Sequence, residues 1–118
     1  MANIRQFDTG ATRDTDNGKY DYAKFFSPIV LEKFAEYMHK NRLQKDGTMR
    51  DGDNWKKGFG DNHLDVCMQS LSRHYMDLWH EHDGYKSRDG IDDAICGVLF
   101  NVMAYYNKIL NDRIEVSK

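Results

Sequence analysis

The sequence predicts an all-α protein: three main helices behind an extended N-terminal arm, assembled as a helix-bundle homo-oligomer. Three observations carry this expectation. Residues 89–110 are apolar around most of a helical wheel, as expected of a helix in an interior. Two further stretches, 27–41 and 62–82, repeat apolar residues at helical spacing. No stretch alternates apolar and polar residues as a half-buried strand does. A chain of 118 residues is one domain, large enough for a modest core and small enough to gain from oligomerisation.

Residues 1–26 are polar and glycine-dotted, with Phe7, Tyr20, Tyr22, Phe25 and Phe26 among them. They read as an extended arm that docks on something. Ser27-Pro28 opens the first helix, because serine caps well and proline suits the first helical position. That helix runs to about Asn41, with Val30, Leu31, Phe34 and Met38 on its core face. Residues 42–60 carry four glycines among charges and read as a long loop. The second helix spans about Asn62 to His82 and turns Leu64, Cys67, Met68, Leu71, Tyr75, Leu78 and Trp79 inward. A short loop leads to the third helix, with Asp89 as its expected N-cap.

Charge is near balance, −2 from 17 basic and 19 acidic residues, which argues against a general nucleic-acid binder. No run of 18 apolar residues exists to span a membrane, and the N-terminus lacks the apolar core of a secretory signal. Cys67 and Cys96 fall on apolar helix faces and read as buried thiols of a reducing, cytoplasmic compartment.

Four places could hold chemistry. Glu32 and Glu36 are one helical turn apart, with His39 beside them. They form either a solvated acidic face, balanced by Lys33 and Lys40, or a pair of oxygen ligands for a divalent cation. Ser70, His74, Asp77 and Glu81 border the second helix's apolar face at steps of four, three and four. They form either an ordinary boundary stripe or a set for metal binding or proton transfer. Asp89, Asp92 and Asp93 suit the positive end of a helix dipole. Asp93 also heads a strip through the third helix: Asp93, Gly97, Asn101, Ala104 and Lys108. That strip is either a packing seam with a polar network or a face that meets a ligand. In the loop, Asn54-Trp55-Lys56-Lys57-Gly58 offers an indole for a base and lysines for phosphates, or one anchoring tryptophan on a surface loop. Phosphate-cradling glycine loops, dinucleotide fingerprints and serine-nucleophile motifs are absent from the sequence.

Five blocks in order resemble a phage-encoded family named for dATP/dGTP diphosphohydrolase activity. They are Thr9-Gly10-Ala11-Thr12-Arg13-Asp14 with Gly18-Lys19, Ser27-Pro28 before Leu31-Glu32 and Ala35-Glu36, Asn54-Trp55-Lys56-Lys57-Gly58, Ser70-Leu71-Ser72-Arg73-His74, and Asp92-Asp93 leading to Asn101. The likeness spans about residues 8–107. That family resembles the all-α nucleoside triphosphate pyrophosphohydrolases of the MazG type, which gather carboxylates around Mg²⁺ and release monophosphate and pyrophosphate. The resemblance implies Mg²⁺ (or Mn²⁺) on Glu32, Glu36, Asp92 and Asp93, with His74 or Asp77 completing the shell or taking a proton. It also implies Lys19, Lys57 and Arg73 on phosphates, Trp55 and Asn54 near the base, and Asn101 on the nucleotide. Where the MazG type carries Glu-Glu-x-x-Glu and Glu-x-x-Asp, this chain has Glu32 and Glu36 alone, then Asp89-x-x-Asp92. The competing expectation is therefore a phage protein in the host cytoplasm that binds or sequesters a nucleotide without cleaving it. A purely structural oligomer is the third.

Overall fold

The computed structural model describes residues 4–117, the side chain of Ser117 excepted. The first three residues of the expected arm, and Lys118, lie outside the described residues. With 59% of the chain helical, the all-α expectation holds at the level of class.

The arm is more ordered than an extended tail. Ile4–Gln6 (β1) pairs antiparallel with Thr12–Asp14 (β2), in a register that sets Arg5 opposite Arg13. Three-residue strands are too short to display an alternating pattern, which is why none was legible. One helical turn follows at Tyr22–Phe25 (α1), capped by the Asp21 carboxylate, which accepts from the Lys24 amide at 3.0 Å.

Helix α2 spans Pro28–Lys40, and the Ser27 hydroxyl accepts from the Val30 amide at 3.3 Å, the expected cap. Its packing is lighter than expected. Phe34, Tyr37 and Met38 are half-buried against α4, while Val30 and Leu31 remain exposed because nothing else among the described residues covers that side. Residues 42–50 form a small hairpin: the Arg50 amide donates to the Arg42 carbonyl at 2.8 Å, and Leu43 bridges Met49. Asp46-Gly47 makes the turn, with Gly47 at φ +88, and was the readable signal for it. A 3₁₀ turn at Asn54–Lys57 carries the tryptophan motif.

Helices α3 (His63–His82) and α4 (Ile91–Ser117) form the main pair. Helix α4 begins after Gly90, whose carbonyl accepts from Ala94, so Asp89 is not its cap; it also runs seven residues past Leu110, the end expected from the sequence. The inward face of α3 is only partly the apolar one: Leu64, Cys67, Leu71 and Leu78 are buried or half-buried as expected. It runs through His63, Cys67, Ser70, His74 and Asp77, all buried or half-buried, while Met68, Tyr75 and Trp79 point outward, each about half exposed. On α4 the buried face is Ala94, Gly97, Asn101 and Ala104, and Ile95, Leu99, Val102 and Tyr106 look outward. The two polar strips of the sequence meet at their middles, where Ser70 and His74 lie against Asn101 and Gly97. Small side chains on α4 let the backbones approach, so polar contacts decide the seam.

The consequence is an open shape. The Cα radius of gyration is 19.6 Å, against about 13.5 Å for a compact chain of this length. The surface is 9879 Å², against roughly 6,700 Å² for a compact monomer of this mass. Among the described residues no helix is long and apolar enough to cross a membrane.

Candidate nucleotide cavity and carboxylate cleft

Two hydrogen bonds and one ring contact join α3 and α4 along the seam. Nδ2 of Asn101 donates to the Gly97 carbonyl at 2.8 Å and to Oγ of Ser70 at 3.1 Å. The His74 imidazole lies directly on Gly97, where a Cβ would overlap the ring. Deeper along the seam, His63 is 5% exposed; its Nδ1 accepts from the Phe59 amide at 3.0 Å and its Nε2 meets the Ala104 carbonyl at 3.0 Å. A neutral ring protonated on Nε2 satisfies both bonds. His63 therefore ties the residue 58–60 bend to both helices. Its place at the start of the second helix gave no sign of that role. Of the strip heading α4, Gly97, Asn101 and Ala104 are thus packing and network, and Lys108 pairs with Asp112 on the surface at 2.8 Å.

Two openings flank the contact of α2 with α4, and Tyr37 lines both. Burial pushes the Tyr37 phenol up, with Asp93, Cys96 and Asp89 adding to the shift. The first opening is a cavity of about 230 Å³ between the hairpin, the 3₁₀ turn, α3 and α4. It gathers Asn54, Trp55, Ser70, His74 and Asn101 from three separate stretches of sequence. It also takes in Arg42 and Arg50, which the sequence did not single out. Trp55 is half-buried and set edge-on to Phe100, with centroids 6.3 Å apart. Both amide hydrogens of Asn101 are used inside the protein, so what it offers a ligand is its carbonyl oxygen, an acceptor.

The second opening is a cleft of about 290 Å³ between α2 and α4. Glu36, Asp92 and Asp93 line it together with Lys33 and Lys40; Glu32 is exposed and does not. Lys40 Nζ stands 2.6 Å from Oδ1 of Asp93, and Lys33 Nζ is 3.3 Å from Oε2 of Glu36. The bond to Asp93 raises the Lys40 ammonium above its ordinary range. The ligand set that the resemblance implies does not fit this arrangement. Among the described residues no three histidine, cysteine, aspartate or glutamate groups converge closely enough to hold a metal ion. Two of the three cleft carboxylates already carry an ammonium partner.

The remaining expected site residues fall elsewhere. Asp77 is buried and held by Arg88, with Nη2 to Oδ2 at 2.7 Å and Nε to Oδ1 at 3.3 Å. It fastens the 83–90 loop to α3 and lines neither opening. Glu81, the last of the boundary stripe, accepts from the Ser87 amide and hydroxyl at 2.9 Å each and does the same work. Arg73 and Lys19 are exposed and line neither opening. Lys57 lies 3.9 Å from Asp51, a carboxylate at the cavity rim, which it partly neutralises.

The fork of Arg88 holds the Asp77 carboxyl below its ordinary range. A carboxyl with a depressed folded pKa contributes stability above its unfolded pKa and loses it as pH falls through the folded value. The Arg88→Ala variant should therefore unfold at lower urea than the parent at neutral pH. The gap should close as pH falls below the ordinary carboxylate value of about 4. An equal gap at every pH would remove the pair from the stability of the loop.

No protein-family model, curated protein or solved structure matches the chain.

Proposed function

We propose that the protein binds a nucleotide in the cavity between the hairpin, the 3₁₀ turn and the α3–α4 seam. The observation that carries the reading is the convergence there of Trp55, Asn54, His74 and Asn101, residues far apart in sequence. Stacking on an aromatic face stabilises a base whatever its identity, by about 1–3 kcal/mol. The amides of Asn54 and Asn101 supply polar partners for a base edge or sugar. The resemblance to the phage dATP/dGTP diphosphohydrolase family supports a purine deoxynucleoside triphosphate as ligand, drawn from the host cytoplasm.

Hydrolysis to monophosphate and pyrophosphate is the second reading. The facing of Glu36, Asp92 and Asp93 into one cleft beside the cavity favours it; holding Mg²⁺ or Mn²⁺ there would require these acids to draw together as well as Lys33 and Lys40 to swing away. The present pairing of these acids favours binding without turnover.

We also propose that the chain works as a homo-oligomer. The outward apolar faces of α3 and α4 and the surface excess of roughly 3,200 Å² support this, since an obligate interface covers about 1,000–2,500 Å² on each partner.

The test is incubation with dATP, dGTP and their ribose counterparts, with and without Mg²⁺ or Mn²⁺. Calorimetry reads binding, and chromatography with phosphorus NMR reads products. Binding with intact nucleotide recovered is the expected result. Metal-dependent release of pyrophosphate would promote the second reading. Absence of binding by every nucleotide would sink both.

A further inference from the structure

We infer that Arg42 and Arg50 form a phosphate clamp at the rim of this cavity, which makes the ligand a nucleotide carrying a phosphate chain rather than a nucleoside or free base. The inference rests on the nucleotide reading above and deepens it.

The two arginines are eight residues apart and are brought together by the hairpin. Asp46-Gly47 turns the chain, Gln44 donates to the Thr48 carbonyl at 2.8 Å, and the Arg50 amide donates to the Arg42 carbonyl at 2.8 Å. Arg42 and Arg50 thus stand opposite one another across the hairpin. Like charges directly opposite across a strand pair are destabilising. A fold uses such a pair to advantage when an anion sits between the charges.

Each guanidinium is braced by backbone. Nε of Arg42 donates to the Arg50 carbonyl at 2.7 Å, and Nη1 of Arg50 donates to the Asn41 carbonyl at 3.1 Å. These bonds use one of five N–H donors in each group and fix the direction of the rest. Among the described residues neither guanidinium is within ion-pair distance of a carboxylate. This is in contrast to Arg5, Arg88, Lys33, Lys40 and Lys108, each of which has an acidic partner. The nearest acid in the cavity wall, Asp51, is turned to Lys57.

Both arginines line the same cavity as Trp55. A planar guanidinium matches phosphate oxygens two at a time, and two of them suit a chain of phosphates. The order across the cavity follows: phosphates at the hairpin, base at the indole and the α4 amide.

Three probes separate the parts: dATP, inorganic tripolyphosphate and deoxyadenosine, each titrated by calorimetry without metal. The parent should bind dATP and tripolyphosphate, and deoxyadenosine far more weakly. Arg42→Gln with Arg50→Gln should weaken dATP and tripolyphosphate by roughly 10- to 100-fold, the range for charge-assisted hydrogen bonds. Trp55→Ala should weaken dATP and leave tripolyphosphate unchanged. Because the arginines also brace the hairpin, Arg50→Lys is the control. It keeps the charge and loses the fork, so it should fall between parent and double variant while melting as the parent does. If dATP binds the parent and the double variant equally, the clamp is wrong and the nucleotide reading stands. Arginine-dependent binding of tripolyphosphate without any binding of dATP would keep the clamp and overturn the nucleotide reading. Tripolyphosphate bound no tighter than deoxyadenosine would overturn the clamp.

Discussion

Gly97→Ala should lower the melting temperature and weaken nucleotide binding together. In an exposed helix interior the same change stabilises by about 0.5–1 kcal/mol, because alanine is the better helix former. Here the new methyl would occupy the space of the His74 ring. Overpacking of this kind typically costs about 1–3 kcal/mol, which outweighs the propensity gain. A net loss of about 1–2 kcal/mol corresponds to a fall of several degrees for a chain of this size. The imidazole cannot stay where it is, so the cavity wall that it forms changes as well. A companion variant isolates the cause: with His74→Ala already in place, Gly97→Ala should become neutral or stabilising, a non-additivity that only contact between the two residues produces. Calorimetric melts of the four proteins decide the matter. A stabilised Gly97→Ala single variant would mean that the helices do not meet as described.

The same contact shows what was legible in the sequence. The three long helices, the Ser27 cap and the break near residue 62 follow from local chemistry, and all three appear within a residue or two at those ends. The strip of Asp93, Gly97, Asn101, Ala104 and Lys108 was visible as a strip. Its meaning was not, because a small residue at helical spacing does not reveal what packs on it. The orientation of α3 was legible only in part: Leu64, Cys67, Leu71 and Leu78 are buried or half-buried as expected. Hydrophobicity also places Met68, Tyr75 and Trp79 inside, yet they are exposed, and His63, Ser70 and His74 meet α4. Periodicity identifies an apolar face but not the partner it meets, and a chain that assembles with copies of itself can place that face between chains. The candidate site was legible in part. Asn54, Trp55, His74 and Asn101 were singled out and share one cavity. Arg42 and Arg50 were passed over because residues 42–60 read as loop, and only the hairpin sets them side by side. Among the acids, local spacing alone could not show that Lys40, fifty-three residues from Asp93, would reach it.

Light scattering at micromolar concentration should show more than one chain per particle, and Val102→Asp should break that assembly. Among the described residues the buried apolar ones are all small: Cys67, Ala94, Cys96 and Ala104. Hydrophobic stabilisation of about 25 cal/mol per Å² is then mostly unrealised, since the large side chains lie outside. On α4, Ile91, Ile95, Leu99, Val102 and Tyr106 form a stripe at steps of four, four, three and four, each 38–54% exposed. On α3, Tyr75 and Trp79 are 53% and 51% exposed. A contiguous apolar surface of this extent on a monomer marks an interaction site. Val102 sits mid-stripe and lines neither the cavity nor the cleft, so its replacement leaves the ligand site untouched. If the chain is a monomer, aspartate at a half-exposed helix position changes stability by only about 0.5 kcal/mol and the particle size not at all. If chains pack on this stripe, the carboxylate must be desolvated in the interface, and the assembly dissociates with a large fall in melting temperature. The melting temperature of the parent should also rise with protein concentration, because association draws on mass action. A parent that scatters as one chain, with a melt independent of concentration, would overturn the assembly and leave the apolar stripe without a role.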